Sequence, residues 1–330
     1  MHDCCEGNGK GYDLAVIGAG SAGFSAAITA AEQGANVALI GYGTIGGTCV
    51  NVGCVPSKAL IRATESLHHA GTAARFAGIR AEGRVTDWAA LIAQKNDLVA
   101  GLRQAKYANL LPEYNTIAYV QGKARVADGG IVVNGSLIKA PKVIIATGTR
   151  PAVPSIPGIE TIDYLTSTSA LDLKTLPKSL LVVGGGFVGA ELAQVFARAG
   201  VKVTIMCRSR LLPAAEPEIG DALARFFRLE GIALNFGVAY ESCKKTDKGL
   251  ELCVHQDGRQ QVLAAERILI ATGRSPNVEH LGLAEAGIRQ EKSGAIEVDD
   301  RLRTSRPGTY AAGDVTGRDQ FVYMAAYGAK

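Results

Sequence analysis

The chain has 330 residues, of which 47% are hydrophobic and 20% charged, and its formal net charge is +4 at pH 7. This length favours two domains over one, and so small a charge without a long basic run argues against a nucleic-acid partner. No apolar stretch is long enough to span a membrane, and the polar start MHDCCEGNGKGYD lacks a signal core. We therefore expect a cytoplasmic protein in which residues 1–11 form a flexible tail.

A dinucleotide-binding fingerprint opens the folded part of the chain. The apolar run of residues 12–17 leads into GAGSAG, which contains Gly18, Gly20 and Gly23, and an Ala-rich stretch then precedes a second apolar run at 36–40. The glycines allow a tight turn, a close approach of pyrophosphate and packing of helix on strand. The pattern predicts a Rossmann-like strand–helix–strand unit.

Two cysteines follow this unit in the segment GGTCVNVGCVPSK, residues 46–58. The spacing of Cys49 and Cys54 can carry a redox disulfide, whose small loop would constrain the unfolded chain very little. A helix beginning at about Cys54 would place that thiol at a helix N-terminus near Lys58, and both features favour a thiolate. Two unconnected buried thiols are the alternative interpretation.

Asp87 is predicted to cap a long helix that ends near Pro112 and carries Tyr107 in its last turns. Its apolar residues keep helical spacing: Trp88, Leu91, Ile92, Leu98, Val99 and Leu102.

The fingerprint recurs in GGGFVG, where Gly184, Gly186 and Gly189 follow the apolar strand Ser179–Val183. The offset is 184 − 18 = 166 residues, and further small and apolar residues match at the same offset. Two nucleotide sites with a cysteine pair after the first imply one flavin and one nicotinamide nucleotide. We expect FAD in the first unit, the one that the cysteine pair follows.

The residue at the end of the second strand of each unit bears on nucleotide choice, because an acidic residue there usually holds a ribose hydroxyl. In the second unit this place is Cys207, which is followed by Arg208 and Arg210. A missing carboxylate with two guanidiniums just beyond it suits a 2′-phosphate, so NADPH is predicted over NADH. Surface arginines without a role are the alternative. In the first unit the place is Gly41.

Residues 46–58 resemble the active site of the pyridine nucleotide-disulfide oxidoreductases, flavoproteins that include glutathione reductase, lipoamide dehydrogenase and mercuric reductase. The resemblance covers essentially the whole chain, and IIATGTRP and LIATGRSPN fit the family's two crossings between domains. It implies an α/β fold of two Rossmann-like, glutathione-reductase-like domains. The NADPH domain, 152–273, would be inserted in a discontinuous FAD domain, 12–151 and 274–330.

The resemblance also implies roles for individual residues. Cys54 would lie against the flavin as a charge-transfer thiolate, while Cys49 would exchange with substrate. Glu191 would pair with Lys58 and so link the two domains, and Asp314 in TSRPGTYAAGD would contact the ribityl chain. The other cofactor-binding residues implied are Gly47, Thr48, Thr147, Gly148 and Gly273.

Gly41 departs from the family, which normally has Glu at this place. Losing a charge-assisted hydrogen bond to the ribose would cost about 1.5 to 3 kcal/mol of FAD binding. We therefore expect a Gly41→Glu substitution to raise FAD retention. The neighbouring Tyr42 either stacks on a partner or is exposed.

Within the family, two stretches resemble the mercuric reductases. Tyr107 matches a KY motif whose tyrosine reaches the substrate site, and QFVYMAA, residues 320–326, lacks the histidine-containing stretch of lipoamide dehydrogenases. The resemblance implies NADPH-dependent reduction of Hg(II) to Hg(0) through the cysteine pair. The alternatives are another disulfide reductase, of the dihydrolipoamide dehydrogenase or glutathione reductase type, and a Hg(II)-binding protein without turnover.

The sequence ends at Lys330 inside a predicted helix, so the family's C-terminal domain, which forms the homodimer interface, is expected to be absent. Steady-state Hg(II) reduction by residues 1–330 alone would then be weak. Cys4 and Cys5 are soft ligands suited to Hg(II), with an incidental pair in a disordered tail as the alternative. The five histidines lack metal-ligand spacing, and His68-His69 suits a solvated helix face.

Overall fold

The computed structural model describes residues 11–330, so Cys4, Cys5 and most of the expected tail lie outside the described residues. The chain divides into two compact units. The first contains residues 11–51, Ala100–Arg150 and Ser275–Lys330, and the second contains Val52–Val99 and Pro151–Arg274. Among the described residues, no helix has the length and apolarity to cross a membrane.

Short strands make up most of the regular structure of both units. In chain order they are β1 (Leu14–Ile17), β2 (Val37–Gly41), β3 (Ile117–Gln121), β4 (Ala124–Ala127), β5 (Gly130–Val133), β6 (Ser136–Lys139), β7 (Lys142–Ile145), β8 (Thr149–Pro151), β9 (Leu165–Thr166), β10 (Ser179–Val183), β11 (Lys202–Met206), β12 (Ala233–Asn235), β13 (Ala239–Thr246), β14 (Gly249–Gln256), β15 (Arg259–Ala265), β16 (Arg267–Ile270), β17 (Arg274–Pro276) and β18 (Thr309–Ala311).

The helices vary more in length. They are α1 (Ser21–Glu32), α2 (Gly47–Val52), α3 (Cys54–Gly71), α4 (Trp88–Arg103), α5 (Ser167–Leu171), α6 (Phe187–Arg198), α7 (Pro217–Leu229) and α8 (Val322–Gly328). Single 3₁₀ turns lie at Ala73–Arg75, Leu111–Glu113, Ile159–Thr161 and Gly313–Thr316, and a π-helical turn, Gln104–Ala108, directly follows α4.

Each unit is built on a five-stranded sheet whose observed pairings are all parallel. The order is β18-β7-β1-β2-β3 in the first and β9-β16-β10-β11-β12 in the second. Their central strands are apolar along their length and buried, as expected of parallel sheets covered on both faces. The predicted α/β fold with two Rossmann-like units is therefore confirmed.

The internal repeat extends beyond the fingerprints. A three-stranded antiparallel sheet, β4-β5-β6, lies between β3 and β7 in the chain, and β13-β14-β15 lies between β12 and β16. Each follows the third parallel strand counted from its fingerprint strand, β1 or β10. The sequence offset between the fingerprints therefore marks the repetition of a larger structural module.

The helices that follow the cysteine segment pack in the second unit. Leu60 of α3 and Ile92 of α4 belong to the same buried cluster as Phe196 of α6. The sequence places residues 52–99 in the expected FAD domain. In the structure Val52–Val99 belong to the second compact unit, because of this packing. The capping prediction for Asp87 is confirmed, since its carboxylate accepts a hydrogen bond from the Ala90 amide at 3.0 Å.

Trp88, the single tryptophan of the chain, reports on the core of the second unit. Its indole is 5% exposed, donates to the Leu173 carbonyl at 2.7 Å and lies 6.0 Å from the Phe196 ring. Its fluorescence should shift to longer wavelength only when this unit unfolds. We expect Phe196→Ala to lower the free energy of unfolding measured by this signal by about 3 to 5 kcal/mol.

Phe226→Ala is the matched control, because this phenylalanine on α7 is 61% exposed. It should change the unfolding midpoint little. Equal effects of the two substitutions would contradict the assigned core.

Candidate nucleotide and redox site

The first fingerprint forms a cradle of closely approaching backbone. A Cβ added to Gly23 would lie 1.7 Å from the Gly18 carbonyl oxygen, and one added to Gly47 would lie 2.6 Å from Gly20 Cα. Gly20 caps α1 without a side-chain hydrogen bond, which leaves the amides of the first turn available to an anion. These features fit the pyrophosphate of FAD.

The two cysteines lie on either side of a break between two helices. Cys49 is half-buried in α2, and Cys54 is the exposed first residue of α3. Gly53 precedes α3 and provides no side-chain cap, so the Cys54 side chain stands at a helix N-terminus as the sequence predicts. The boundary between the compact units falls after Asn51, between the two cysteines in the chain.

Asn51 is a site residue that sequence reasoning missed. Its amide nitrogen donates to the carbonyl oxygens of Ile45 at 2.8 Å and Gly47 at 2.9 Å, and its amide oxygen accepts from the Arg103 guanidinium at 3.0 Å. These bonds hold the turn that carries the Gly46-Gly47 pair. The only signal in the sequence is a polar residue between the cysteines.

Lys58 and Glu191 form the expected ion pair, with an Nζ to Oε1 distance of 2.6 Å. The Ser57 hydroxyl also donates to this carboxylate at 3.4 Å. The pair was expected to link the two domains, and this expectation is corrected. Both residues belong to the second compact unit, because α3 packs on α6.

Tyr107 lies in the π-helical turn after α4 and packs on the first fingerprint helix. Its hydroxyl is 3.2 Å from the Ser21 hydroxyl, and its ring meets the Phe24 ring edge-on with a centroid distance of 4.9 Å. A Cβ on Gly46 would lie 3.1 Å from the same tyrosine ring. Tyr107 also lines an open cleft of about 610 Å³ together with Ser21, Ala105, Lys106, Leu110, Val322, Tyr323 and Ala326.

The C-terminal strand of the first sheet brings Asp314 to the predicted flavin site. Asp314 follows β18 in a 3₁₀ turn and accepts a hydrogen bond from the Thr149 hydroxyl at 3.0 Å. Thr147 and Asn277 exchange two hydrogen bonds, of 2.7 and 2.9 Å, beside Gly148. The segments that carry Thr147, Gly148 and Asp314 are therefore fixed within one unit.

In the second fingerprint, the end of β11 carries no negative charge. The Cys207 sulfur faces Gly185, where an added Cβ would lie 2.2 Å from it, and burial raises the pKa of this thiol to about 11. A neutral thiol therefore stands at the ribose position. Gly184 and Gly189 repeat the close contacts of the first unit, and Gly186 caps α6 without a side-chain bond.

The two predicted phosphate-binding arginines differ in their surroundings. Arg210 donates to the carbonyl oxygens of Leu212, Pro213 and Ala215, with distances of 3.4, 3.2 and 2.6 Å. Its guanidinium is therefore engaged in holding the loop after β11. Arg208 is exposed, so it is the better candidate for a 2′-phosphate.

The surroundings of Gly41 argue against the expectation that Gly41→Glu improves FAD retention. A Cβ on Gly41 would lie 2.1 Å from the Tyr119 hydroxyl oxygen and 2.7 Å from Cζ of that ring. The space for a glutamate is already filled by a side chain from β3. Tyr42 is 72% exposed, with the Lys123 ammonium 5.0 Å from its ring centroid.

Within residues 11–330, no three His, Cys, Asp or Glu side chains come together as a metal site. His69 is largely exposed, as expected of a solvated helix face. His68 departs from that expectation, because its ring is half-buried and lies 3.9 Å from the Glu230 carboxylate. Glu230 in turn binds Arg198 at 2.7 Å. Burial raises the pKa of Glu230, but the hydrogen bonds and positive charge of Arg198 outweigh it and leave the pKa below its usual value.

Residues 12–329 match the family described as pyridine nucleotide-disulphide oxidoreductase. The chain belongs to this family. FAD and a nicotinamide nucleotide are the cofactors that the family uses.

Curated relatives and solved structures agree with this assignment. The chain is 45% identical over 318 residues to mercuric reductase of Staphylococcus aureus, covering 96% of this chain and 58% of the relative, and 46% identical over 323 residues to mercuric reductase of Streptomyces lividans, covering 96% and 68%. The Cu(II) complex of the HOCl-induced flavoprotein disulfide reductase RclA from Escherichia coli superposes with a TM-score of 0.84 at 33% identity, covering 97% of this chain and 69% of that one. The chain thus spans between half and about two thirds of their length.

The Asn51 contacts lead to a prediction about the cysteine segment. Asn51→Ala removes two hydrogen bonds to the turn at Ile45 and Gly47. At about 0.5 to 1.5 kcal/mol each, we expect amide hydrogen exchange in the peptide around residues 45–51 to become about 5- to 150-fold faster. Exchange followed by mass spectrometry measures this directly.

Asn134→Ala serves as the control, since this side chain, in the turn between β5 and β6, donates to the carbonyl oxygen of Gln121 at the end of β3. It should leave the 45–51 peptide unchanged. If Asn51→Ala also leaves it unchanged, the turn is held by other contacts and Asn51 has no positioning role.

Proposed function

We propose that the protein is an NADPH-dependent flavoprotein disulfide oxidoreductase that reduces Hg(II) to Hg(0). The observation that carries this proposal is the placement of Cys54, exposed at the first residue of α3 and four residues before Lys58. It follows a strand–helix unit whose glycine cradle fits FAD. The names of the relatives that share 45% or 46% of their aligned residues support Hg(II) as the substrate.

The protein's own residues would bind and orient the reacting groups. The N-terminus of α3 favours a thiolate at Cys54 through its unpaired amides. The ion pair of Lys58 with Glu191 anchors the first turns of the same helix on α6. Asp314 and the Thr147 segment would contact the flavin and its ribityl chain.

FAD, when bound, supplies hydride acceptance from NADPH and two-electron transfer to a disulfide. Cys49 and Cys54 then hold Hg(II) as a dithiolate, because thiolates are the ligands that soft metal ions prefer. Two further electrons, from a second NADPH, would reduce the metal, and Hg(0) would leave the two thiolates free for the next Hg(II). The family forms homodimers, and we propose the same assembly for this protein.

NADPH is the coenzyme that the second unit favours. The neutral thiol of Cys207 presents no charge to repel a 2′-phosphate, and the exposed Arg208 lies one residue beyond it. Guanidinium groups bind phosphate oxygens in a geometry that suits them well. Arg210 contributes by fixing the loop.

A second candidate is reduction of a different substrate by the same cysteines. The structural match to a flavoprotein disulfide reductase in complex with Cu(II) favours it. Turnover with Cu(II), lipoamide or oxidised glutathione, each compared with Hg(II) at equal concentration, distinguishes the two candidates.

The coenzyme assignment predicts different outcomes for the two arginines. Arg208→Ala should lower the ratio of kcat/KM for NADPH over NADH by about 10- to 150-fold, as expected for loss of a charge-assisted bond of about 1.5 to 3 kcal/mol. The rate with NADH is the internal control. Arg210→Ala should instead lower thermal stability, because three carbonyl contacts are lost.

If Arg208→Ala still discriminates strongly against NADH, this arginine is not the phosphate ligand.

The cysteine assignment predicts a spectroscopic result. One equivalent of NADPH, added without oxygen to the FAD-loaded protein, should produce long-wavelength thiolate-to-flavin charge-transfer absorbance. Cys54→Ser should abolish the band and Hg(II)-dependent NADPH oxidation. Cys49→Ser cannot form the disulfide, so it should show the band before NADPH is added, lose the band when NADPH reduces the flavin, and lack the oxidation. Absorbance spectra and release of Hg(0) vapour are the measurements.

Cys253→Ser is the matched control, since this half-buried thiol lies on β14 beside Glu241. It should preserve both signals. The redox assignment fails if the band is absent from the unsubstituted protein or survives in Cys54→Ser.

A further inference from the structure

Tyr119 is placed at the nucleotide-binding edge of the first sheet by strand register. Tyr119 on β3 pairs with Leu39 on β2, and Gly41 pairs with Gln121 at the carboxyl ends of the same strands. The Tyr119 side chain extends towards that end, so that its hydroxyl oxygen lies 2.1 Å from the position of a Cβ on Gly41. Dinucleotides bind at the carboxyl edge of such a sheet.

The position matters because the end of the second strand is where a Rossmann-like unit holds a ribose hydroxyl. A carboxylate at residue 41 would begin at the very space that the Tyr119 phenol fills. Because Gly41 has no side chain, the Tyr119 phenol from β3 has room to occupy this place.

We propose that the Tyr119 hydroxyl takes the place of the missing carboxylate and hydrogen-bonds the adenosine ribose of FAD. This inference rests on the proposed flavin site and goes beyond it by naming the ribose ligand. A phenol can donate to one ribose hydroxyl and accept from another. Among residues 11–330, no hydrogen bond of the Tyr119 hydroxyl to another residue is observed, so it is available to a ligand.

The surroundings of Tyr119 suit a fixed, neutral ligand. Its ring packs against the cluster that contains Phe24 and Ala27 of α1, the helix that follows the fingerprint. Burial also raises the pKa of the phenol, so it stays protonated around neutral pH. The phenol would therefore donate a hydrogen bond to the ribose, whereas an ionised carboxylate can only accept one.

The test is a binding experiment on the protein stripped of flavin. FAD affinity is measured by flavin fluorescence, and ADP affinity by competition with FAD. Tyr119→Phe removes one hydroxyl and should weaken both by about 2- to 13-fold, the range for one neutral hydrogen bond of about 0.5 to 1.5 kcal/mol. The 2′- and 3′-deoxy forms of ADP identify the partner, because the analogue that lacks it should bind Tyr119→Phe and the unsubstituted protein equally.

Tyr310→Phe is the matched control, since this half-buried tyrosine lies on β18, the opposite edge strand of the same sheet. It should leave FAD and ADP affinity unchanged. Circular dichroism and thermal melting establish that both variants are folded before affinities are compared.

A second pair of variants tests whether a side chain at position 41 and the Tyr119 phenol compete for the same space. Gly41→Glu alone should weaken FAD binding, because its side chain collides with the Tyr119 phenol. Gly41→Glu combined with Tyr119→Ala should regain affinity relative to Gly41→Glu alone, since the space is vacated and a carboxylate can reach the ribose. Tyr119→Ala alone should bind FAD less tightly than the unsubstituted protein.

Two results would overturn the inference, and they are distinguishable. If the unsubstituted protein binds FAD but Tyr119→Phe and the deoxy analogues leave affinity unchanged, Tyr119 is a packing residue only and the proposed function stands. If the unsubstituted protein binds neither FAD nor ADP, both the flavin site and this inference fail.

Discussion

The close approach of two glycine backbones, at Gly20 and Gly47, is the constraint on which the rest of the first unit depends. A Cβ at Gly47 would lie 2.6 Å from Gly20 Cα, so Gly47 tolerates no side chain without movement of backbone. This contact joins the fingerprint turn to the start of α2, the helix that carries Cys49. The nucleotide cradle and the first redox cysteine are thereby built from one local structure.

The sequence predicted the fold because its signals are local. Apolar strands before a glycine turn, alternated with Ala-rich or amphipathic helices, specify Rossmann-like units with little help from distant residues. The cap at Asp87 and the pair of Lys58 with Glu191 were also accessible, the first from helix-start rules and the second from family resemblance. Patterns that repeat within a few residues carry over to structure reliably.

The features that sequence reasoning missed depend on contacts that form only in the folded chain. Tyr119 fills the space beside Gly41 only because β3 pairs with β2 in one particular register, which the sequence does not reveal. Arg210 turns back onto carbonyl oxygens of its own loop, although its spacing from Cys207 suggests a phosphate ligand. The assignment of Val52–Val99 to the second unit likewise follows from packing of α3 on α6.

The chain carries no acidic side chain at the strand ends where both ribose groups would be recognised, and it replaces them in physically different ways. The flavin corner has a neutral phenol from a neighbouring strand, whereas the nicotinamide corner has a buried thiol and an exposed cation. Attraction between an exposed cation and phosphate is screened by dissolved salt, while a neutral hydrogen bond is not. If Arg208 and Tyr119 bind the two nucleotides as proposed, rising ionic strength weakens the contact of Arg208 with the coenzyme phosphate and leaves the hydrogen bond of Tyr119 to FAD unchanged.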